Sequence, residues 1–416
     1  FARNEKILAG HDVSTGGVIG TLCEMSFAGD TGISVSLEGI SDPASFLFCE
    51  KPAVILQVAD SERVKVTELF RRDGIEVIEL GKVQTGIKSI DVRAGALSFS
   101  SSVADLRKVW SRPSMLFDAL QTRNNKAKER FDTFDKHPLD YVFPKDFSGY
   151  AKDSGVDLFR TKPSGICAAI IREKGTNGDR EMAFSMYAAG FDVKDVTVSD
   201  LMAGRETLED ISFIVFPGGF SNSDVLGAGR GWAGALLYNQ TAYTAIKRFM
   251  ERKDTLSLGV CNGCQVMTAL DMVYPEHTKK IAMRQNESGK FESAFLSVEV
   301  QETKSILLKN LVGCRLGIWV AHGEGRFELP EGEAAYDIAL RYSSADYPAC
   351  PNGADFNAAG VVSADGRHLA MMPHLERAIL PWQWPYYAGE AQRKSQEIRP
   401  WALAFVSARE WVSQKH

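Results

Sequence analysis

Short apolar runs alternate with amphipathic helical segments over the second part of the chain. Each run has the length of a buried strand, and the runs lie at 166–171, 193–198, 211–216, 256–260 and 368–372. A helical pattern occupies 178–189 and stops at Gly190, between the first two runs. Repeated strand–helix–strand units predict a parallel sheet flanked by helices, which is the α/β class.

In the first hundred residues, helical and strand-like hydrophobic patterns follow a different order from that of the second part. A helical pattern passes through Leu22, Met25 and Phe27, and a strand-like run follows at 53–58. The remaining segments read as helix at 62–72, as extended chain at 76–80, and as alternating strand near Ser98. This order predicts a smaller α+β module.

Shifts in composition predict three regions. The α+β module is expected at 1–104, and the parallel-sheet domain at 165–416. Between them, 105–164 begins as charged helix and continues as an irregular stretch rich in Pro, Gly, Asp and Lys, typical of a linker.

Charge and composition exclude several function classes. The chain has 416 residues and a formal net charge of −5, and no Lys/Arg cluster offers a track for nucleic acid. Its longest apolar runs are far shorter than a bilayer span, so no membrane association is expected. Seven scattered cysteines indicate reduced thiols and a cytoplasmic location. The first residue is Phe1, so we expect a piece of a longer polypeptide.

The segment around Cys261 carries the clearest chemical signal. An apolar run ends in Gly259-Val260-Cys261-Asn262-Gly263, and a helix-compatible stretch follows at once. This is the strand–turn–helix context of a nucleophile elbow, with a thiol where hydrolases place a serine. At a helix N-terminus the peptide dipoles favour the thiolate, which attacks carbonyl groups. The pattern predicts a cysteine acyl-transfer site.

Other interpretations of Cys261 remain open at this point. Cys261 and Cys264 form a C-x-x-C, which can bind zinc or act as a redox pair. The other five cysteines are scattered singly, whereas a structural zinc site needs a second pair. A buried, inert thiol is the main competitor, and packing is the role we expect for Cys264.

A histidine and a carboxylate follow the last apolar run. In extended backbone, His374 and Glu376 are expected on one face, because side chains alternate with period two. A carboxylate beside an imidazole fixes its tautomer, so His374 can act as base toward Cys261 and as acid toward a leaving amine. A surface histidine near a solvated glutamate is the alternative.

A glycine pair follows the run at 211–216. The loop Pro217-Gly218-Gly219 can turn backbone N–H groups toward a developing oxyanion, together with the amide of Asn262. A plain turn is the alternative reading.

The N-terminal module opens on a turn that suits an anion. Asp12-Val13-Ser14-Thr15-Gly16-Gly17 precedes the first helical pattern and offers N–H groups and a hydroxyl to a phosphate. Asp12 supplies the hard oxygen that Mg²⁺ prefers beside a nucleotide. An ordinary helix cap at Asp12 is the alternative.

These motifs, in this order, resemble the class I glutamine amidotransferases, a flavodoxin-like α/β family. The resemblance is closest to the phosphoribosylformylglycinamidine synthase family, through four segments: 220–229, 259–265, 322–325 and 371–374. It implies that Cys261 is the nucleophile, His374 the acid/base and Glu376 its orienting carboxylate. It further implies oxyanion amides at Gly219 and Asn262 within a Gly218-Gly219 loop, and glutamine contacts from Gln265 and His322. Leu375 departs from the family, which often has proline there.

The first module resembles the C-terminal half of an aminoimidazole ribonucleotide synthetase. Segment 24–29 and the strand-like run at 53–58 fit that module. The resemblance implies that Asp12 is a magnesium ligand and that Ser14 contacts ATP. Glu50 matches a recurrent family glutamate without an assigned role.

Together these resemblances imply a glutamine-dependent ligase of purine biosynthesis. Its small-molecule substrates are glutamine and formylglycinamide ribonucleotide, its cofactors are ATP and Mg²⁺, and upstream synthetase domains of the same polypeptide are its partners. Two alternatives stay open: a stand-alone cysteine amidohydrolase or peptidase, and a non-catalytic binding module in which Cys261 is structural.

Overall fold

The structure is a computed structural model that describes residues 7–386 and 395–415. The chain divides into two compact units, Phe1–Phe117 and Asp118–His416. The predicted boundaries near 104 and 164 are not tested by this division and stay a proposal.

The first unit contains two small sheets. In one, β1 pairs antiparallel with β3, and the other has the order β4-β2-β5-β6. The strands are β1 Ile7–Asp12, β2 Gly32–Ser36, β3 Val54–Val58, β4 Gly81–Gln84, β5 Ser89–Ala94 and β6 Leu97–Ser102. The helices are α1 Gly17–Gly29, α2 Pro43–Leu47, α3 Arg63–Arg72 and α4 Val103–Ala119, the last running past the unit boundary. Helix α1 packs Leu22 and Phe27 into a core shared with Ile90 of β5.

Most of the predicted elements of this unit are confirmed. The helix through Leu22 and the strand at 53–58 are present as α1 and β3. The extended segment expected at 76–80 is wrong: the strand begins only at Gly81. Strand β4 is short and borders the sheet, so alternation gave little signal there.

A nine-stranded sheet forms the second unit, in the order β13-β12-β15-β16-β17-β10-β9-β7-β8. Its strands are β7 Cys167–Arg172, β8 Asp192–Thr197, β9 Phe213–Phe216, β10 Leu256–Val260, β12 Glu292–Val300, β13 Arg315–His322, β15 Asp337–Tyr342, β16 Ala358–Val362 and β17 His368–Met371. Two further strands, β11 Ala282–Arg284 and β14 Arg326–Glu328, pair with each other outside it.

The large sheet has a parallel half and an antiparallel half. Strands β8, β7, β9, β10 and β17 are parallel, as predicted from the strand–helix alternation. Beyond β17 every pairing is antiparallel. Strand β17 therefore joins the two halves, and its neighbour on the parallel side is the strand that leads to Cys261.

Strands β7, β9 and β10 of the parallel half are buried almost throughout. The helices of this unit are α5 Lys126–Thr133, α6 Asp179–Ala188, α7 Val198–Met202, α8 Arg230–Leu237, α9 Gln240–Glu251, α10 Asn262–Ala269 and α11 Ala402–Ser413. Helices α6, α7 and α10 pack against the parallel strands. Within the described residues, no helix is both long and apolar enough to cross a membrane.

Candidate active site

Cys261 occupies a sharp turn between β10 and α10. Its backbone has φ +52° and ψ −108°, a conformation that non-glycine residues rarely adopt. The Cys261 amide donates to the Met371 carbonyl at 2.9 Å, so the turn is tied to the end of β17. Strained backbone of this kind concentrates at functional sites, and the predicted elbow geometry is present.

Two glycines make the elbow sterically feasible. A Cβ on Gly259 would lie 2.6 Å from the carbonyl oxygen of Gly263, and a Cβ on Gly263 would lie 1.8 Å from that of Phe216. Neither position has room for a side chain, so α10 packs directly against β9 and β10. The Gly-x-Cys-x-Gly pattern thus follows from close backbone approach.

His374 and Glu376 meet at the carboxyl end of β17. His374 Nδ1 lies 2.6 Å from Glu376 Oε1, and both residues are buried, with 2% and 0% exposure. The predicted reason for this contact is wrong, because Leu375–Arg377 forms a 3₁₀ turn instead of extended backbone. The turn rotates the Glu376 carboxylate back toward the imidazole.

Cys261 and His374 interact through their side chains. Burial disfavours the charged imidazole, but the Glu376 carboxylate and the charge and hydrogen bond of Cys261 outweigh it and raise the pKa of His374 from 6.5 to about 10. The imidazolium is therefore the favoured form at neutral pH. Cys261 Sγ also lies 3.4 Å from the Ala321 carbonyl oxygen. A thiol, an imidazole and a carboxylate thus form one continuous chain of contacts.

Two groups of positive character lie near the Glu376 oxygen that faces His374. Arg377 Nε lies 3.7 Å from Glu376 Oε1, and a Cβ on Gly178, at the N-terminus of α6, would lie 3.4 Å from the same oxygen. A helix N-terminus and a guanidinium both favour a negative charge. Arg377 also donates to Asn177 Oδ1 at 2.8 Å, which holds the loop at 173–177 near the site.

The glycine pair after β9 lies beside the imidazole and the thiol. A Cβ on Gly218 would lie 2.6 Å from His374 Cε1 and 3.4 Å from Cys261 Cβ. Gly219 has φ +137° and forms a bridge with Thr176. Asn262 begins α10 directly after the thiol, so the loop and helix predicted to supply oxyanion amides lie around Cys261.

Gln265 is buried on the first turn of α10. Its Oε1 accepts from Asn262 Nδ2 at 2.9 Å, and its Nε2 donates to the Glu324 carbonyl at 2.8 Å. Asn262 Oδ1 in turn accepts from the Ser221 amide at 3.2 Å. These bonds link the elbow to the two loops at 218–221 and 322–325, which border the same space.

His322 ends β13 and lies next to the same site. It is 2% exposed, and burial together with the charge of His374 lowers its pKa from 6.5 to about 4. Its Nδ1 lies 3.2 Å from Asn286 Oδ1. Asn286 is a buried residue that the sequence analysis missed, because its partners lie 36 and 39 positions further along the chain.

Asp12 and Ser14 lie elsewhere, in the first unit. Both are exposed, the Asp12 side chain at 80%, and no other group nearby completes a metal site among the described residues. Glu50, whose role was unassigned, accepts from the Gly16 amide at 2.9 Å. A carboxylate thus takes one of the N–H groups that were expected to face phosphate.

The structure pairs none of the seven cysteines in a disulfide. Within the described parts of the chain, no three Cys, His, Asp or Glu side chains cluster as metal ligands, so the zinc reading of Cys261 and Cys264 has no support. Cys264 is fully buried, in agreement with the packing role expected for it.

Comparisons with known proteins agree with the two modules. A family model described as a CobB/CobQ-like glutamine amidotransferase domain matches residues 166–412, and one described as the C-terminal domain of AIR synthase related proteins matches residues 1–92. A solved structure of PurLQS from Thermotoga maritima is 26% identical, with a TM-score of 0.46, and covers 60% of this chain and 99% of that chain.

Two curated relatives carry the same name. The chain is 38% identical to a probable phosphoribosylformylglycinamidine synthase of Arabidopsis thaliana over 98% of its own length and 30% of the relative's. It is 35% identical to the phosphoribosylformylglycinamidine synthase of Homo sapiens over 99% of its length and 32% of that protein. The chain thus spans about a third of these relatives, and the resemblance expected from the motifs is confirmed. From residue 166 to residue 412, this chain belongs to the CobB/CobQ-like glutamine amidotransferase family.

Proposed function

We propose that this chain hydrolyses glutamine through a Cys261 thioester and delivers the ammonia to a purine-biosynthetic ligase reaction. The observation that carries the proposal is the buried chain of Cys261, His374 and Glu376 at the elbow. The names of the curated relatives support the second half, the ATP-dependent conversion of formylglycinamide ribonucleotide to formylglycinamidine ribonucleotide.

Acylation begins with the thiol. With the proton already on His374, the Cys261 Sγ thiolate adds to the carboxamide carbon, and the carbonyl electrons move to oxygen. The Gly219 and Asn262 amides stabilise this oxyanion; one such donor contributes roughly 100-fold or more to the rate. The imidazolium then protonates the amide nitrogen, the C–N bond breaks, and ammonia leaves a glutamyl thioester.

Deacylation uses the same groups in reverse. A water molecule transfers a proton to His374 and adds to the thioester carbon, after which the C–S bond breaks and glutamate leaves. The Glu376 carboxylate holds the imidazole through Nδ1 in both halves, so His374 Nε2 is the atom that exchanges protons. Gln265 contributes by holding Asn262 and the loop at 322–325 in register.

ATP and Mg²⁺ belong to the ligase half of the proposal. Mg²⁺ is commonly held by one or two carboxylates together with phosphates and water, and Asp12 supplies one exposed carboxylate of that kind. Ser14, on the turn before α1, is the proposed ATP contact. The upstream synthetase domains of the relatives, formylglycinamide ribonucleotide as substrate and a cytoplasmic location are parts of the same proposal.

A diazo-ketone analogue of glutamine tests the glutaminase half. The chain is incubated with the analogue, digested, and the mass of each cysteine-containing peptide is measured. We expect one adduct on Cys261, loss of the adduct when glutamine is present, and no adduct in a Cys261→Ala variant. Cys264, three residues away and fully buried, is the internal control.

Each other outcome favours a different function. An adduct on Cys261 that glutamine does not block would indicate a stand-alone hydrolase or peptidase with another substrate. Absence of any adduct on Cys261, with the chain folded, would support a non-catalytic module and overturn the proposal.

A further inference from the structure

A short antiparallel ladder joins the loop at 173–177 to the glycine loop at 218–221. Two backbone hydrogen bonds, of 2.9 and 2.8 Å, flank a bridge between Thr176 and Gly219. The donors and acceptors are the Asn177 amide with the Gly218 carbonyl, and the Phe220 amide with the Gly175 carbonyl. Bridged residues of this non-hydrogen-bonded type point their own N–H groups away from the partner strand. The Gly219 N–H therefore points out of the ladder, and it donates to no group in the described parts of the chain.

The two loops are in close backbone contact along this ladder. A Cβ on Gly175 would lie 2.2 Å from the Phe220 carbonyl oxygen, and a Cβ on Gly219 would lie 2.5 Å from the Asn177 amide nitrogen. Neither glycine leaves room for a side chain between the loops. A displacement of the first loop must therefore displace the Gly219 amide as well.

Arg377 links Asn177 to the carboxylate of the site. Its Nη2 donates to Asn177 Oδ1 at 2.8 Å, and its Nε lies 3.7 Å from Glu376 Oε1. Arg377 and Glu376 are neighbours on one 3₁₀ turn, and the same Glu376 oxygen faces His374. One turn thus contacts the imidazole through its carboxylate and the ladder through its guanidinium.

The guanidinium is held from more than one side. Arg377 Nε and Glu376 Oε2 are inaccessible to solvent, and neither makes a hydrogen bond within the described residues. A buried carboxylate oxygen without a donor depends on nearby positive charge. A Cβ on Gly178 would lie 3.2 Å from Arg377 Nη2, so the start of α6 packs against the guanidinium. These contacts fix the group that bonds Asn177.

We propose that Arg377 is a positioning residue that sets the Gly219 amide relative to the Cys261 thiol, through Asn177 and the ladder. The inference rests on the proposed glutaminase function, in which this amide stabilises the oxyanion. It assigns two tasks to one turn: Glu376 orients the imidazole, and Arg377 orients an oxyanion donor. A displaced donor weakens the stabilisation of the transition state more than the binding of glutamine.

An Arg377→Lys variant separates the oxyanion donor from the reactivity of the thiol. Lysine keeps a positive charge near Glu376, but its single ammonium group does not reproduce the planar fork that spans both partners. We expect glutamine hydrolysis to slow by about tenfold. Alkylation of Cys261 by iodoacetamide forms no oxyanion, so its rate should change by less than about twofold at every pH. Parallel losses in both reactions, or unchanged hydrolysis, would overturn the proposal.

Glutamine protection against iodoacetamide measures substrate binding in the same variant. The mass of the Cys261 peptide is followed over time at increasing glutamine concentration. We expect the half-protecting concentration to change by less than about twofold, because the oxyanion is absent from the bound ground state. A rise as large as the loss in hydrolysis would assign Arg377 to substrate binding and contradict the positioning role.

Variants of Asn177 test whether the effect passes through this residue. Asn177→Ala removes the acceptor and should slow hydrolysis by about tenfold, as Arg377→Lys does. Asn177→Asp keeps an acceptor for the guanidinium and should stay within about threefold of the unsubstituted rate. The double variant with Arg377→Lys and Asn177→Ala should lose no more than either single variant, because both break one link. Losses that multiply in the double variant would show that the two residues act separately.

Arg341 on β15 offers a matched control. Its guanidinium also joins two segments, through Glu333 Oε1 at 2.7 Å and the Phe356 carbonyl. Arg341→Lys should leave hydrolysis unchanged, and a loss equal to that of Arg377→Lys would indicate general destabilisation and refute the inference. Failure of the proposed function is distinguishable, since the unsubstituted chain would then show no glutamine-protected adduct at Cys261.

Discussion

Two buried histidines at opposite ends of β17 have pKa values that are shifted in opposite directions. His368 begins the strand and lies level with Ser257 of β10, whose Oγ is 2.9 Å from His368 Nδ1. Burial and the neighbouring Arg367 lower its pKa to about 3, against a weaker opposing effect of Asp365. His374 follows the other end of the strand, and its pKa is raised to about 10.

The comparison shows that burial alone does not set the state of a histidine. Both residues are nearly inaccessible to solvent, with 4% exposure for His368 and 2% for His374. Both also adjoin the same strand, β17. The difference is the charge in contact: a cation beside His368, and a carboxylate and a thiol beside His374. The amino end of the strand pair therefore holds a ring that stays neutral, while the carboxyl end holds a ring that favours a second proton.

The same substitution at both histidines should give the largest contrast. Asparagine reproduces the Nδ1 position of the ring and removes Nε2. We expect His374→Asn to lower glutamine hydrolysis by about 10³-fold or more, because the proton carrier is lost. His368→Asn should change it by less than about threefold, since Ser257 remains within reach of the amide. Steady-state ammonia release measures both, and comparable losses would break the comparison.

Substituting the carboxylates near the two ends of β17 should give the next largest contrast in the rate of glutamine hydrolysis. Glu376→Gln replaces the oxygen facing His374 Nδ1 by a group that does not stabilise the imidazolium, and should lower the hydrolysis rate by about 100-fold or more. Asp365→Asn is the matched variant at the amino end, where the carboxylate pairs with Arg367 at 2.8 Å. The Asp365→Asn substitution should change the free energy of unfolding and leave the rate constant of glutamine hydrolysis unchanged.

Adding a methyl group at Gly218 tests how closely the site at the carboxyl end of β17 is packed. In Gly218→Ala the new Cβ would lie 2.6 Å from His374 Cε1, so the imidazole must move from the thiol. A misplacement of this size should cost roughly 10- to 100-fold in rate. Gly234→Ala in α8 is the control, because its Cβ meets nothing closer than 3.9 Å and alanine favours a helix. Full activity in Gly218→Ala would show that the ring has room to shift.

The free energy of unfolding should depend on pH with opposite signs for His368 and His374, the histidines at the two ends of β17. His368 has a lowered pKa in the folded chain, so its contribution is present above pH 6.5 and is lost as the pH falls toward 3. His374 has a raised pKa, so its contribution is present below pH 6.5 and is lost as the pH rises toward 10.

Denaturant titrations from pH 4 to pH 10 measure these contributions. His368→Asn should flatten the acid side of the profile and His374→Asn the alkaline side. His322, with a pKa near 4, keeps part of the acid dependence in both variants. If His374→Asn instead removed the pH dependence of the free energy of unfolding on the acid side, the directions assigned to the two pKa shifts would be wrong.

The sequence predicted the elements that follow from local pattern. The parallel strands and the elbow at Cys261 depend on apolar runs and on glycines at fixed spacing, and both are found where expected. The contact between His374 and Glu376 was predicted for the wrong reason, because a 3₁₀ turn leaves no period-two signal. The catalytic and binding roles assigned to these residues stay predictions until the variants are measured.

Long-range contacts were beyond the sequence. Asn286 bonds to His322 and Gly325 through a loop whose residues have no distinctive pattern. The antiparallel half of the sheet was also missed, since its strands mix buried and exposed positions unevenly. The carboxylate of Glu50 at the start of α1 shows the same limit: a turn predicts free amides, but only the fold reveals which are already bonded.

The insertion of β17 between β10 and β16 has a consequence for the newborn chain. The elbow is synthesised more than a hundred residues before His374, and β17 follows the other eight strands of the sheet in chain order. A ribosome-bound intermediate therefore carries the thiol without its proton acceptor. The thiol at residue 261 therefore meets the imidazole of residue 374 only after β17 has entered the sheet.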